Sequence, residues 1–242
     1  MIAFVPETGS TNGEIAARIA GGEPVPEGDW LVADRQTAGR GRQGRAWLDG
    51  AGNFMGSTVV HARAGDPPLP SLALVAGLAV HAALAPLVPP PLRAEIKWPN
   101  DVLVAGAKLA GVLLERTGDA VIVGIGANLA LAPQVPGRET VALSAFGPAP
   151  DRDGFTQALA SAFAAELALW RAAGLEALVA RWTIAAHPAG TALLVGEPGE
   201  APLAGTFAGL DSTGALILTL GDGTKRTIQA GEVRLAPPGR AE

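Results

Sequence analysis

Apolar runs of strand length recur through the first half of the chain. They occupy residues 30–33, 53–62, 94–98 and 120–125, and residues 102–104 and 109–115 are predicted to pair as a hairpin. These segments do not alternate regularly with helical ones. The pattern therefore predicts an α+β fold with a mixed, largely antiparallel sheet rather than a doubly wound α/β fold.

Helices are indicated by capping residues and by glycine or proline stops. Thr11 and Glu14 have the spacing of a capping box, and a glycine pair ends the helix that they begin. Further helices are predicted at residues 71–87, 151–170 and 175–185.

The pattern changes after His187. Four short β-type runs alternate with turn signals between residues 192 and 229, which is typical of a small barrel. We therefore expect two domains, at residues 1–187 and 188–242.

Composition narrows the class of function. The chain has no cysteine, three scattered histidines and a formal net charge of −5, which excludes disulfides, cysteine nucleophiles and thiolate metal sites. The acidic balance argues against a nucleic-acid partner. The first residues lack a signal peptide's basic and apolar regions, and residues 71–88 contain His81 and Pro86, which favours a buried helix over a membrane span. A soluble cytoplasmic protein is expected.

The main candidate for chemistry is a loop rich in arginine and glycine. Arg40, Arg42 and Arg45 fall within six positions, and Trp47 follows them. Arginines this close repel one another unless an anion compensates, while the intervening glycines allow the backbone to approach a ligand. A flexible solvated turn is one interpretation, and a loop that wraps a phosphate or carboxylate is the other. The second interpretation predicts a loop that is mobile alone and ordered by ligand.

Lysine is scarce, with Lys97, Lys108 and Lys225 among eighteen basic residues. Two of the three lie near each other and near Asn100-Asp101. This segment is open to two interpretations, a surface turn or a contact to magnesium or ribose. Cations and a carboxylate without a nucleophile suit attack of a carboxylate on the α-phosphate of ATP, which requires positioning and charge neutralisation.

Two further segments carry polar or flexible residues. Ser10-Thr11-Asn12 fits either a helix cap or a set of donors for a small polar ligand, and Gln36 at a strand end offers both a donor and an acceptor. Residues 124–129 imitate a dinucleotide fingerprint only weakly, because Leu129 stands at the sixth position. A strand that ends beside a ligand fits this segment better.

Four of these motifs occur in the order and approximate spacing of biotin–protein ligases, and the chain resembles that family. The motifs are residues 39–47, 97–101, 108–115 and 124–129. The resemblance implies a catalytic domain like that of class II aminoacyl-tRNA synthetases, followed by an SH3-like barrel. It also implies that biotin and MgATP form biotinyl-5′-AMP, from which biotin passes to a lysine of the biotin carboxyl carrier protein of acetyl-CoA carboxylase or a related carboxylase.

The resemblance further implies roles for individual residues. The biotin contacts would be Ser10, Thr11, Asn12, Gln36, Arg40, Gly41, Arg42, Lys108 and Gly111. The ATP contacts would be Arg40, Arg42, Trp47, Lys97, Asn100, Asp101, Lys108, Gly126 and Asn128. Lys108, Arg40 and Arg42 would be catalytic, and Asp101 would be a magnesium ligand.

Some members of the family carry an N-terminal DNA-binding domain. The Ser-Thr-Asn motif begins at residue 10 here, so a monofunctional ligase is expected. Two other functions stay open, a lipoate–protein ligase with the same acyl-adenylate chemistry and a non-catalytic nucleotide-binding or SH3-like interaction module. A monomer and a homodimer are equally compatible with the sequence.

Overall fold

A computed structural model describes residues 1–48, 50–196 and 201–236. The first of its two sheets has seven strands in the order β1-β2-β3-β7-β6-β5-β4. Their bounds are β1 Ile2–Thr8, β2 Trp30–Gln36, β3 Phe54–His61, β4 Ala94–Lys97, β5 Asp101–Val104, β6 Ala107–Thr117 and β7 Ala120–Ala127. The pair β1–β2 is parallel and the other pairs are antiparallel, as in the mixed sheet that the sequence predicts.

Strand β1 was not predicted. Its side chains show no alternation of buried and exposed positions, and Pro6 interrupts it. It forms because an edge strand needs hydrogen bonds on one side only, which β2 supplies. By contrast, the predicted hairpin of β5 and β6 is present, and Ala105 and Gly106 both adopt positive φ angles, as a tight two-residue turn requires.

Helices cover both faces of this sheet. Helix α1, Thr11–Ala20, packs on one face, where Ile15 meets Leu31, Val59 and Ile122. On the other face, helices α2, Leu72–Leu84, and α3, Arg152–Ala185, enclose the main apolar core. Helix α2 is mostly buried there, which accounts for its apolar composition and agrees with the buried helix that the sequence favours.

The start of α1 differs from the sequence pattern, whereas a predicted break in α3 is present. The N-cap of α1 is Ser10, whose hydroxyl accepts a hydrogen bond from the Gly13 amide at 3.4 Å, so the predicted capping box of Thr11 and Glu14 is wrong. The Thr11 side chain is consequently available for other contacts. The predicted break between two C-terminal helices is present as a kink at Gly174, where φ is 75°.

The second sheet is small and antiparallel, with the order β11-β10-β9-β8-β12. Its strands are β8 Ala192–Gly196, β9 Leu203–Leu210, β10 Leu216–Thr219, β11 Lys225–Ile228 and β12 Glu232–Leu235. It packs directly against the first unit. The Lys97 ammonium donates to the Val233 carbonyl at 2.8 Å, and the Trp98 indole donates to the Gly214 carbonyl at 3.1 Å.

Candidate active site

A cavity of about 40 Å³ that opens to solvent lies on the face of the large sheet that also carries α1. Its floor is made of glycines. Gly124 and Gly126 on β7 and Gly111 on β6 let the side chains of Asn12, Trp47 and Lys108, respectively, lie against the sheet, because a Cβ added at any of the three glycines would overlap them. The glycines that suggested a nucleotide fingerprint in the sequence therefore serve the close approach of side chains that line the cavity.

Most of the residues singled out in the sequence meet at this cavity. Those that line it are Ser10, Thr11, Asn12, Gln36, Arg40, Gly41, Trp47, Lys108, Gly111 and Gly126. Five others lie nearby but are not among the described residues that line it: Arg42, Lys97, Asn100, Asp101 and Asn128. The cavity joins a polar end, near α1, to a cationic end, near Lys108.

The polar end is a network of buried side chains. The Gln36 amide oxygen accepts from the Thr11 backbone N–H at 2.7 Å, and the hydroxyls of Thr11 and Ser57 lie 2.6 Å apart. Ser57 donates to the Asn12 amide oxygen at 2.6 Å, and the Asn12 amide nitrogen donates to Glu115 at 2.7 Å. Ser57 and Glu115 were not predicted. Glu115 ends the motif at residues 108–115. Its contact with Asn12, which lies on α1, arises only in the folded protein, so the sequence pattern could not indicate it.

Each arginine of the Arg/Gly loop has its own partner. Arg40 pairs with Glu115 at 3.2 Å, Arg42 donates to the Asn100 side chain at 3.2 Å, and Arg45 pairs with Glu232 at 2.6 Å. Two of the three like charges are thus compensated within the protein by carboxylates, and Arg42 has a neutral amide as its partner. The loop is also closed by backbone hydrogen bonds, since the Trp47 amide donates to the Gly39 carbonyl at 2.9 Å.

Trp47 lies on the glycine floor. Its indole ring occupies the space above Gly126, and the Lys108 ammonium lies 5.5 Å from the ring centroid, within cation–π range. The ring therefore stands between the loop and the cationic end of the cavity.

A methyl group at Gly126 would overlap this ring. We expect Gly126→Ala to displace Trp47 and the loop and to slow chemistry at the cavity by about 100-fold, because misplacement of positioning groups by an ångström has that effect. Turnover of the variant measures this, with Gly147→Ala as the control, since no atom lies within 4 Å of a Cβ added there. Equal turnover of the two variants would contradict the role of the ring.

The cationic end holds a buried carboxylate between two lysines. Asp101 lies 2.6 Å from the Lys108 ammonium and 3.1 Å from the Lys97 ammonium, and it is 5% exposed. Burial alone would raise the pKa of Asp101, but the charges of Lys108 and Lys97 hold this pKa well below its usual range. Burial lowers the pKa of Lys108, Asp101 opposes that effect, and Arg138 and Lys97 lower it further.

The cluster therefore carries more positive than negative charge. An incoming carboxylate or phosphate would balance that excess, which suits the neutralisation of charge on a reacting acyl phosphate. The same arrangement does not fit a magnesium ion held by Asp101, because both carboxylate oxygens already face ammonium groups. No group of three or more potential metal ligands occurs among the described residues.

Asn100 and Asn128 act on the backbone around the cluster. The Asn100 amide nitrogen donates to the Val112 carbonyl at 2.6 Å. The Asn128 amide nitrogen donates to the carbonyls of Lys108 and Val141 at 3.3 and 3.1 Å, which holds the segment of Lys108 beneath the loop before α3. These contacts position Lys108, and the predicted ATP contacts of both asparagines stay predictions.

The small C-terminal sheet contacts the cavity's surroundings through Glu232. One of its oxygens lies 2.6 Å from Arg45 of the Arg/Gly loop and 2.8 Å from Arg138 of the loop that covers Lys108. Burial would raise the pKa of Glu232, but these arginines outweigh burial and lower it. Glu232 thus joins two loops that come from distant parts of the sequence.

Removing this carboxylate should loosen both loops. We expect Glu232→Ala to slow turnover by up to about fivefold and to increase protease cleavage at the Arg/Gly loop, because partly exposed ion pairs contribute at most about 1 kcal/mol each. Limited proteolysis and turnover assays measure the two effects, with the exposed Glu23→Ala as the control. Unchanged cleavage would show that other contacts hold the loop.

The sequence matches two families of known proteins. Residues 20–128 match the Biotin/lipoate A/B protein ligase family, and residues 196–235 match the Biotin protein ligase C terminal domain. The chain is 40% identical to a biotin--[acetyl-CoA-carboxylase] ligase of Paracoccus denitrificans, over 93% of this chain and 97% of the relative. It is 37% identical to the ligase of that name from Mycobacterium tuberculosis, over 95% of this chain and 86% of the relative.

The fold is also that of a solved ligase. A biotin protein ligase from Aquifex aeolicus, in complex with biotin and ATP, superposes with a TM-score of 0.83 at 27% identity, covering 97% of this chain and 99% of that one. The fold class is therefore the predicted one, an α+β unit of the class II aminoacyl-tRNA synthetase type with a small C-terminal β unit.

Fold and cavity together define a protein of the acyl-adenylate ligase class. Within that class, the extent of the similarity in sequence and in structure identifies the family. The chain belongs to the biotin protein ligases of the Biotin/lipoate A/B protein ligase family.

Proposed function

We propose that the protein is an ATP-dependent biotin–protein ligase. The observation that carries this proposal is the two-ended cavity, with uncharged hydrogen-bonding groups around Thr11 and Gln36 at one end and the Lys108 ammonium at the other. A biotin molecule has matching ends, a ureido ring and a carboxylate. Relatives named as biotin--[acetyl-CoA-carboxylase] ligases and a ligase solved with biotin and ATP support the assignment.

In the first half-reaction, an oxygen of the biotin carboxylate attacks the α-phosphorus of ATP and pyrophosphate leaves. Lys108 and the arginines of the loop neutralise the charge that the carboxylate and the phosphoryl oxygens bring together. In the second half-reaction, the ε-amine of an acceptor lysine attacks the acyl carbon, AMP leaves and the amine loses a proton. The acceptor in this proposal is the biotin carboxyl carrier protein of acetyl-CoA carboxylase or a related carboxylase.

The individual roles follow the position of each residue along the cavity. The residues that serve biotin are Ser10, Thr11, Asn12, Gln36 and Gly111. At the cationic end, Lys97 acts on Asp101 and Asp101 acts on Lys108. Asn100 acts there through Arg42. Magnesium enters with ATP, bound to its phosphates, since the surroundings of Asp101 do not suit a protein-held ion. We assign residues 1–187 to the catalytic unit and residues 188–242 to the C-terminal unit.

The alternative enzyme is a lipoate–protein ligase. The polar end argues against it, because the dithiolane ring of lipoate has no hydrogen-bond donors for the oxygens of Thr11, Gln36 and Ser57. Pyrophosphate release in the presence of ATP tests both enzymes. Release with biotin and not with lipoate is expected, the reverse would contradict the proposal, and no release with either would favour a non-catalytic interaction module.

The second half-reaction needs its own measurement. Transfer of labelled biotin to a carrier domain is expected, and it should fail when the acceptor lysine of that domain is replaced. The proposal also places the protein in the cytoplasm, without a nucleic-acid or membrane partner, and leaves monomer and homodimer to be distinguished by sedimentation.

A further inference from the structure

A series of short polar contacts runs from a carboxylate to the polar end of the cavity. It begins at Glu115, whose oxygen accepts from the Asn12 amide nitrogen at 2.7 Å. The Asn12 amide oxygen lies 2.6 Å from the Ser57 hydroxyl, which lies 2.6 Å from the Thr11 hydroxyl. The Thr11 hydroxyl lies 3.2 Å from the Gln36 amide oxygen. Thr11, Asn12 and Ser57 are all at most 3% exposed, so bulk water does not compete for these contacts.

A count of the available hydrogens shows which group donates in each of these contacts. Four oxygens, on Asn12, Ser57, Thr11 and Gln36, make three successive contacts, but only the two hydroxyls carry hydrogens. One contact must therefore lack a hydrogen. Thr11 could donate to Gln36 at 3.2 Å, but this contact is the longest of the three, and oxygens only 2.6 Å apart, as in the other two contacts, repel unless a hydrogen lies between them. Both hydroxyl hydrogens accordingly point toward Asn12.

Glu115 determines the direction in which these side chains donate their hydrogen bonds. An ionised carboxylate only accepts hydrogen bonds, so the Asn12 amide must turn its nitrogen to Glu115 and its oxygen to Ser57. Ser57 then donates to Asn12, and Thr11 donates to Ser57. Because the Thr11 hydrogen points to Ser57, the lone pairs of the Thr11 hydroxyl point away from Ser57. Thr11 lines the cavity, so these lone pairs can accept a hydrogen bond from a ligand there.

Without the carboxylate, the opposite direction satisfies the same atoms. Asn12 can exchange its amide oxygen and nitrogen by a half-turn of the amide group, which has nearly the same shape after the exchange and lies over Gly124, where there is no Cβ to obstruct it. Its nitrogen would then donate to Ser57, Ser57 to Thr11, and Thr11 to Gln36. In that arrangement the Thr11 hydrogen lies between Thr11 and Gln36, and the position open to an N–H donor is closed.

We propose that Glu115 is a specificity-determining residue that acts through Asn12 and Ser57 to keep the Thr11 hydroxyl a hydrogen-bond acceptor. The site thereby selects a ligand that presents an N–H group to Thr11. This inference rests on the proposed function, in which that group is a ring N–H of the biotin ureido. Glu115 is a positioning residue, since Asn12 and Ser57 separate it from Thr11.

The same carboxylate also pairs with Arg40 of the Arg/Gly loop at 3.2 Å. Because of this second contact, the variant that tests the inference must keep an oxygen facing Arg40. In Glu115→Gln, the new amide oxygen is the better partner for the Arg40 guanidinium, so the new amide nitrogen faces Asn12. The hydrogen bonds from Asn12 to Thr11 then reverse their direction. An isosteric replacement should therefore alter specificity while preserving packing.

The test compares the affinities of biotin and of its cyclic carbamate analogues, in which one ring N–H at a time is replaced by oxygen, by calorimetry. The wild-type protein should bind biotin about 10- to 100-fold more tightly than the analogue that presents oxygen to Thr11, as expected for a buried acceptor left without its donor. In Glu115→Gln the preference should fall to about threefold or less. Ser57→Ala breaks this series of contacts at its middle and should have the same effect, which keeps the test decisive if one variant does not fold.

Two controls separate this effect from the loop contact and from general loss of charge. Arg40→Met removes the loop contact and should weaken both ligands while keeping their ratio. Glu14→Gln removes a carboxylate of α1 that pairs with Arg18, and it should change neither affinity. A wild-type preference retained in Glu115→Gln or in Ser57→Ala would overturn the inference. Failure of the wild-type protein to bind biotin would contradict the proposed function itself, and the inference with it.

Discussion

Lys108→Ala is expected to slow pyrophosphate release from ATP in the presence of biotin by about 100- to 1,000-fold, which corresponds to roughly 3–4 kcal/mol of transition-state stabilisation. The ammonium group is the charge at the cationic end that both lines the cavity and contacts Asp101. It is held in place by the Asp101 carboxylate and by the Trp47 ring, while the ammonium of the neighbouring Lys97 is held by the Val233 carbonyl at 2.8 Å. The loss should appear mainly in kcat, because charge develops during the reaction.

Two further variants make the Lys108 prediction specific. Lys108→Arg retains the charge but replaces a compact ammonium by a larger, planar guanidinium group in a confined site. It should therefore recover only part of the rate. Lys225→Ala removes an exposed lysine of β11 and should leave the rate unchanged. Circular dichroism checks that Lys108→Ala is folded, since Lys97 still neutralises Asp101. A rate for Lys108→Ala close to that of Lys225→Ala would refute the assigned role.

Asp101→Asn is expected to lower the free energy of unfolding by about 3–5 kcal/mol, because it leaves two buried ammonium groups without their shared counter-charge. Lys97 and Lys108 are both largely enclosed, with side-chain exposures of 11% and 14%. Water therefore cannot replace the carboxylate at either one. Urea denaturation of the wild type and the variant measures the difference, and Asp119→Asn, at an exposed turn, serves as the control.

The Asp101 prediction has a defined dependence on pH. The pKa of Asp101 is lowered in the folded protein, so its contribution to stability is fully present above the unfolded value of about 3.9 and is lost as the pH falls from there toward the folded value. The difference in unfolding free energy between the wild type and Asp101→Asn should therefore be constant near neutral pH and shrink below about pH 4. A difference that stays constant through this range would show that Asp101 contributes by packing rather than by charge.

The sequence was sufficient for the order of elements and for most of the cavity. Apolar runs with glycine and proline boundaries predicted the hairpin of β5 and β6, the buried strand β7 and the buried helix α2, because local periodicity reports which faces are covered. Edge strand β1 was not predicted, because its pairing with β2 makes it a strand and its own sequence pattern does not indicate one. The capping residue of α1 was also misassigned, because Ser10 and Thr11 are equally suitable by type and only the fold turns Thr11 toward Ser57.

By itself the sequence determined which chemical groups are present: clustered arginines, scarce lysines, a carboxylate beside them, and a Ser-Thr-Asn segment before a helix. The tertiary structure decided what each of these groups faces. Glu115 meets Asn12 and Arg40, and Glu232 meets Arg45 and Arg138, across separations of up to 187 positions along the chain. Hydrogen bonds and ion pairs depend on distance in space, and these residues come close only when the sheet, α1 and the C-terminal unit pack together. Local sequence carries no record of that packing, so the compensation of the arginines and the direction of the hydrogen bonds at Thr11 exist only in the folded protein.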